Sequence, residues 1–336
     1  MSRETREWLS KYTLIGYTGK RGNAWHYRAG DNNHYVGGVP IEDVRSRLFN
    51  WEPEERPLFL GTGDHHGVRL DESIPSYKAI VRSDNEAVLG IFSDSYQPHH
   101  YDQWLLSNIA AILDTSSGEL GIGSAGVLEG GAVGWVQVEM PETVTMADGI
   151  SFRPWINAFS SLNGKFATTY KTGITNIVCD NTMRAAQGER TEQFKAKSTS
   201  RSLTRITQAR EALGLVFSVA DDFKAEVESL LQQDMVDRQF EKLVDQLAPI
   251  TPDMKPRGVS MATKKRDALW DLWRSDYRVT PWGGTGWGAW QTVNTYQQHK
   301  ATVRVGNRPE RNMTKNLQGK IDEADAQTLA LIKSLA

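Results

Sequence analysis

Three rhythms of apolar and polar residues follow one another along the chain. Over Tyr77–Tyr96, YKAIVRSDNEAVLGIFSDSY holds two β-rich runs on either side of Ser-Asp-Asn-Glu, a polar stretch of hairpin-turn length. Residues 101–114 then place Trp104, Leu105, Asn108, Ile109, Ile112 and Leu113 at three- and four-residue intervals, the signature of an amphipathic helix. Alternation returns in the glycine-rich GELGIGSAGVLEGGAVGWVQVEMP, where Val136 and Val138 share one face of the clearest strand, Val133–Met140. Two more strands, Phe152–Ser160 and Lys165–Val178, are expected on either side of Leu-Asn-Gly, a favourable turn.

Beyond Cys179 the period lengthens. Residues 200–233 and 236–248 lack proline, and Phe223, Val227, Leu230 and Leu231 form one stripe, so two helices are expected. APITPDMKPRG, with its three prolines, reads as a rigid turn or linker. A helix at 261–275, a Trp/Gly-rich turn, a helix from Gly286 to His299, an Arg- and Asn-rich loop and a terminal helix from Ile321 complete the C-terminal part. The first 75 residues are broken by Gly22-Asn23, Asp31-Asn32-Asn33, Gly37-Gly38 and Gly61-Thr62-Gly63, which predicts short strands and loops. Two short helices are expected among them, one at the extreme N-terminus and one over Ile41–Phe49 with Pro40 in its first turn. The expected fold is α+β: a mainly antiparallel sheet with β-hairpins and a packed helix, followed by a helical C-terminal half. The regions divide as 1–76 (turn-rich), 77–180 (sheet core with one helix), 181–250 (long helices) and 251–336 (Trp-rich and helical).

Composition narrows the function classes. The formal charge of −2 over 336 residues is not that of a protein that coats nucleic acid by bulk charge, so any such binding must come from local patches. A lone cysteine excludes an internal disulfide framework and a Cys-rich zinc site and fits a reducing cytoplasm. MSRETREWLSKYTL lacks a signal peptide's apolar run, and no run of about eighteen apolar residues occurs, so no membrane association is expected.

Candidate chemistry is sparse. The glycines from Gly118 to Gly134 include no lysine of a phosphate loop and read as strand bends. His65-His66 and His99-His100 cannot easily give two ligands each, because neighbours on a strand face opposite ways; they read as solvated loop histidines, and no metal or cofactor is expected. Asp180 or Asn181 reads as the cap of a helix beginning near Thr182, with Cys179 a small buried thiol. Trp287 and Trp290, spaced i, i+3 beside Gly284, Gly286 and Gly288, read as packing anchors. The strongest local signal lies at 184–210, where Arg184, Arg190, Lys195, Lys197, Arg201, Arg205 and Arg210 outnumber Glu189 and Glu192. Ser198, Thr199, Ser200 and Ser202 lie among the bases, and such residues hydrogen-bond phosphate oxygens without reading sequence. The competing reading makes the same bases internal partners of the acidic run from Asp221 to Asp245.

AVLGIFSDSYQP, the Phe152–Asn163 hairpin, NIVCDNTMRAA, ITQAREALGL and GTGWGAWQTVNTYQQH, in that order, resemble the phage and plasmid proteins grouped as "domain of unknown function 932". The resemblance runs through most of residues 77–300. It implies a mobile-element origin and a bacterial host cytoplasm, and it brings no catalytic residues with it. FKAKSTSRS departs from the family by lacking a histidine. The hairpin, helix and returning strands also look like the β-β-β-α core of multimeric phage single-strand annealing proteins. The expected function is therefore non-enzymatic nucleic-acid binding, single-strand annealing included, by a homo-oligomer. Lys195, Lys197, Arg201 and Arg205 would hold phosphates, and Tyr170 and Lys171 on the neighbouring strand would extend the groove. The rivals are a structural or host-interaction protein and a nuclease or nucleotide enzyme.

Overall fold

The computed structural model describes residues 11–21, 30, 32–64, 67–116, 118, 120–140, 144–146, 148–176, 181–183, 193–196, 208–303, 308–318 and 320–335. In chain order the elements begin with β1 (Thr13–Ile15), α1 (Ile41–Leu48), β2 (Pro53–Asp64), β3 (Gly67–Arg82) and β4 (Val88–Ser93). A π-helical turn, Asp102–Leu106, leads into α2 (Ser107–Thr115), followed by β5 (Gly121–Leu128), β6 (Val133–Glu139), β7 (Val144–Thr145), β8 (Ser151–Ser161), β9 (Thr168–Asn176), β10 (Asn181–Met183) and β11 (Gln193–Ala196). Helices α3 (Gln208–Gln232), α4 (Asp237–Leu247), α5 (Pro256–Ser275), α6 (Gly286–Thr295, with a π turn over Tyr296–Lys300), α7 (Arg308–Leu317) and α8 (Lys320–Ser334) complete an α+β fold. The chain groups into two units, one of Met1–Glu142, Trp155–Thr172 and Glu192–Val216, the other of Thr143–Pro154, Gly173–Thr191 and Phe217–Ala336.

In the first unit, strands run in the order β1-β5-β6-β8-β9, and β11 pairs with β9. Its paired strands run antiparallel, with Leu14 opposite Ala125 and Val136 opposite Ala158. These residues, with Val138, form one apolar face, packed with Val44 and Leu48 of α1 and Ile109 and Ile112 of α2. Val44 and Leu48 are four residues apart and so emerge on the same side of the helix. Pro40 stands at the N-cap in extended conformation, one position before the first turn where the sequence places it. A second antiparallel sheet, β2-β3-β4, contains the expected hairpin around Ser83–Glu86. Its partner β2 is a departure: β2 and β3 are 12 and 16 residues long, where short strands and loops are expected. Gly61 and Gly63 lie within β2, and the pairing absorbs the irregularity through register shifts between Pro57 and Phe59 and between Leu60 and Gly61.

The second unit holds the greater part of α3, helices α4 to α8, and β7 and β10. Phe223, Val227 and Leu230 of α3 join Phe240, Leu243 and Val244 of α4 and Trp273, Trp287 and Trp290 in one core. Trp287 and Trp290 are fully buried and meet edge to face at 5.4 Å, as the glycine-flanked spacing predicts. Thr285 caps α6, its hydroxyl accepting from the Gly288 amide at 3.1 Å. Two elements differ from expectation. Residues 181–183 form β10, with Asn181 opposite Asn176 of β9, where a capped helix is expected; the strand pairing satisfies the backbone that a cap would have served. The Arg- and Asn-rich segment contains helix α7, where a loop is expected, because Arg308, Arg311 and Asn312 donate to carbonyls of residues 297–302 and hold it in place. The N-terminal helix, His65-His66, Cys179, Lys197, Arg201 and Arg205 lie outside the described residues.

Candidate nucleic-acid interface

Strand β11 introduces the basic stretch to the sheet. It pairs antiparallel with β9, setting Lys195 opposite Thr169, Phe194 opposite Tyr170 and Gln193 opposite Lys171. Directly opposed residues share a face, and successive residues alternate. The two faces of β9 differ sharply in what they carry.

Thr168 and Tyr170 belong to the helix-covered face. The Thr168 hydroxyl hydrogen-bonds Ser160 Oγ at 2.8 Å and His99 Nδ1 at 2.6 Å. Tyr170 donates its hydroxyl proton to the Trp104 carbonyl and accepts from Asn108 Nδ2, both at 2.5 Å. Burial raises the Tyr170 phenol, and the Asn108 hydrogen bond acts in the opposite direction. Tyr170 is a core anchor, packed in the apolar cluster of this unit on the face opposite Lys195, and its hydroxyl is occupied. His99 likewise departs from the solvated loop expected of it. It is buried, stacked on Trp104 at 3.8 Å and 11°, and its Nε2 has no hydrogen-bond partner. Burial first, and the neighbouring His100 second, depress its pKa to about 4.

The other face sets polar side chains among the buried aromatic rings of Trp135, Trp155 and Phe159. Because Ser160 and Thr168 meet on the first face, Asn157 of β8 and Thr169 and Lys171 of β9 fall on the second. Gln137 of β6 stands opposite Asn157, and Glu139 opposite Trp155, so they share it. Gln137 Nε2 donates to Glu139 Oε2 at 3.3 Å. The Glu139 side chain lies across Gly123, where a Cβ would collide with its carboxyl carbon. Glu139, Asn157 and Lys171 are each about 1% exposed. Asn157 Oδ1 and Trp135 Nε1, on this same face, are buried without a hydrogen-bond partner, a costly condition for polar atoms. The sequence signal for this face is the alternation of Gln137 and Glu139 with Val136 and Val138, legible once both faces are read.

The register thus brings Lys195 and Lys171 to one face and sends Tyr170 to the other. Lys171 is enclosed, so its ammonium is not presented to solvent. Among the described residues no group of three His, Cys, Asp or Glu side chains is arranged to hold a metal, and no helix is long and apolar enough to cross a membrane.

The model of the family described as Domain of unknown function (DUF932) matches residues 88–318, from β4 through α7. The chain belongs to this family. The DUF932 match takes in both faces of β6, β8 and β9, the β9–β11 edge and the whole basic stretch. No curated protein and no solved structure gives a significant match.

Proposed function

We propose that this DUF932 protein binds single-stranded nucleic acid through the basic stretch that β11 opens, with Lys195, Lys197, Arg201 and Arg205 on phosphates. The observation that carries the reading is the pairing of β11 with β9, which ties the start of a cation-rich, hydroxyl-rich segment to the sheet at a fixed register. A strand-anchored basic segment binds backbone phosphates without selecting bases, as annealing of two strands requires. Tyr170 takes no part, and Lys171 contributes charge beneath the surface and no direct phosphate contact. The working assembly is a homo-oligomer in a phage- or plasmid-bearing bacterial cytoplasm, and the role is binding without catalysis. Size-exclusion with light scattering, run with and without a single-stranded oligonucleotide, reads assembly and binding together. A mass unchanged by oligonucleotide at low salt contradicts the reading, and cleavage of labelled DNA with magnesium or manganese replaces it with a nuclease.

A second reading, a structural or host-interaction protein, is favoured by a different feature. The β2-β3-β4 sheet exposes Tyr77, Val88 and Ile91, and Ile91 stands opposite Ala79 on the side of the sheet that also carries Tyr77. Exposed apolar side chains grouped on one sheet face mark association surfaces.

A further inference from the structure

Helix α7 carries Arg308, Arg311 and Lys315 at i, i+3 and i+7, a spacing that sets them along one side. Lys320 opens the next helix. The two arginines converge on one atom: Arg308 Nη1 donates to the Ala301 carbonyl at 2.9 Å and Arg311 Nη1 to the same oxygen at 3.4 Å. Arg311 also donates to the Gln297 and Thr302 carbonyls and to Asn312 Oδ1 through Nε and Nη2. Its donors are thereby used up. Arg308 spends only Nη1, on Gln298 and Ala301, which leaves the Nε–Nη2 edge, the fork that grips a phosphate bidentately.

No described carboxylate forms an ion pair with Arg308, Arg311, Lys315 or Lys320, although Lys315 and Lys320 are exposed. The carbonyls that end the preceding helix offer only about half a negative charge, far short of four cations. The cations also feel one another: burial and then Arg308 lower the Arg311 pKa, and burial, Arg311 and Lys320 lower that of Lys315. Among the described residues these like charges are held together without the counter-charge that a phosphate would supply.

We propose that Arg308, Lys315 and Lys320 form a second phosphate-binding site, in the helical unit, that grips the backbone of a single nucleic-acid strand, with Arg311 as a positioning residue. The stripe from residue 308 to 315 is about 10 Å long at 1.5 Å per residue, enough for more than one phosphate of a strand. The partner chosen here, nucleic acid, rests on the function proposed above; the cluster itself does not.

The test measures affinity of the full chain for a single-stranded oligonucleotide against salt. Arg308→Ala/Lys315→Ala/Lys320→Ala is compared with wild type and with Lys195→Ala/Lys197→Ala/Arg201→Ala/Arg205→Ala. Three lost phosphate contacts should flatten the log–log slope by about 2, at roughly 0.7 per contact. Because Arg308 also serves its carbonyls, the surface variant Lys315→Ala/Lys320→Ala guards against misfolding and should flatten the slope by about 1.4. An unchanged slope in both of these variants, with a flattened one in the 195–205 variant, overturns this site alone. The reverse pattern overturns the 195–205 assignment and supports this site. Protection of wild type against heat by inorganic tripolyphosphate, without oligonucleotide binding, overturns the nucleic-acid strand as its ligand.

Discussion

His99 shows how a single side chain couples the two halves of the first unit's chain. Its ring stacks on Trp104 and bonds Thr168, sixty-nine residues away in sequence, and Thr168 in turn bonds Ser160. Protonation is disfavoured in the folded state, where the pKa falls from 6.5 to about 4. The unfolded chain therefore binds more protons between these values, and this contribution to stability, full above pH 6.5, is lost as pH falls toward 4. Urea unfolding at pH 7 and pH 5 should show a smaller loss for His99→Gln than for wild type; an equal loss would assign the acid sensitivity elsewhere. Trp287 supplies a second residue-level expectation. It is fully buried against Trp290 and Phe223, so Trp287→Ala should cost about 3–5 kcal/mol in denaturant unfolding. Its burial was legible in the sequence from spacing and flanking glycines, whereas that of His99 was not, because its hydrogen-bond partner Thr168 comes from a distant segment.

At the scale of elements, the segments whose apolar positions repeat on one face are the ones the sequence displays. The β3–β4 hairpin and α2 follow from turn chemistry and a three- to four-residue stripe. Helix α7 offers only Met313 and Leu317 to such a stripe; arginines and an asparagine pin it to the π turn that follows α6 by bonds to carbonyls seven to fourteen residues back, which local patterning does not register. Strand β10 hides for a related reason, since Asn181 suits a cap and a strand end alike until β9 offers a partner. The candidate interface divides in the same manner. The run of bases is plain in the sequence, but the placing of Tyr170 in the core and Lys171 on the other face comes from the contact of Ser160 with Thr168, and that of Lys195 beside Lys171 from the pairing of β11 with β9. Caps can be tested directly: Thr285→Ala removes the bond to Gly288 and should destabilise by about 1 kcal/mol, while Thr285→Ser should retain most of it. Equal losses in the two variants would mean that the hydroxyl bond does not carry the effect.

For the whole molecule, a formal charge of −2 means that binding to a polyanion must be won by local cations against a near-neutral background. Self-association has its own candidate surface in the exposed Val88 and Ile91 of β4. If that face joins copies, Val88→Lys/Ile91→Lys should lower the mass in light scattering while leaving the circular dichroism unchanged. An unchanged mass would show that this face does not join copies. The proposed phosphate grip belongs to the stretch opened by β11. It is tested most directly by the salt dependence of single-stranded DNA affinity in wild type and in Lys195→Ala/Lys197→Ala/Arg201→Ala/Arg205→Ala, both shown to be folded. The slope should flatten by about 3 in the variant, at roughly 0.7 of a counterion per phosphate, with affinity falling almost uniformly across oligonucleotide sequences. Undetectable binding by wild type at about 50 mM salt, where the electrostatic contribution is strong, or an unchanged slope in the variant, would contradict it.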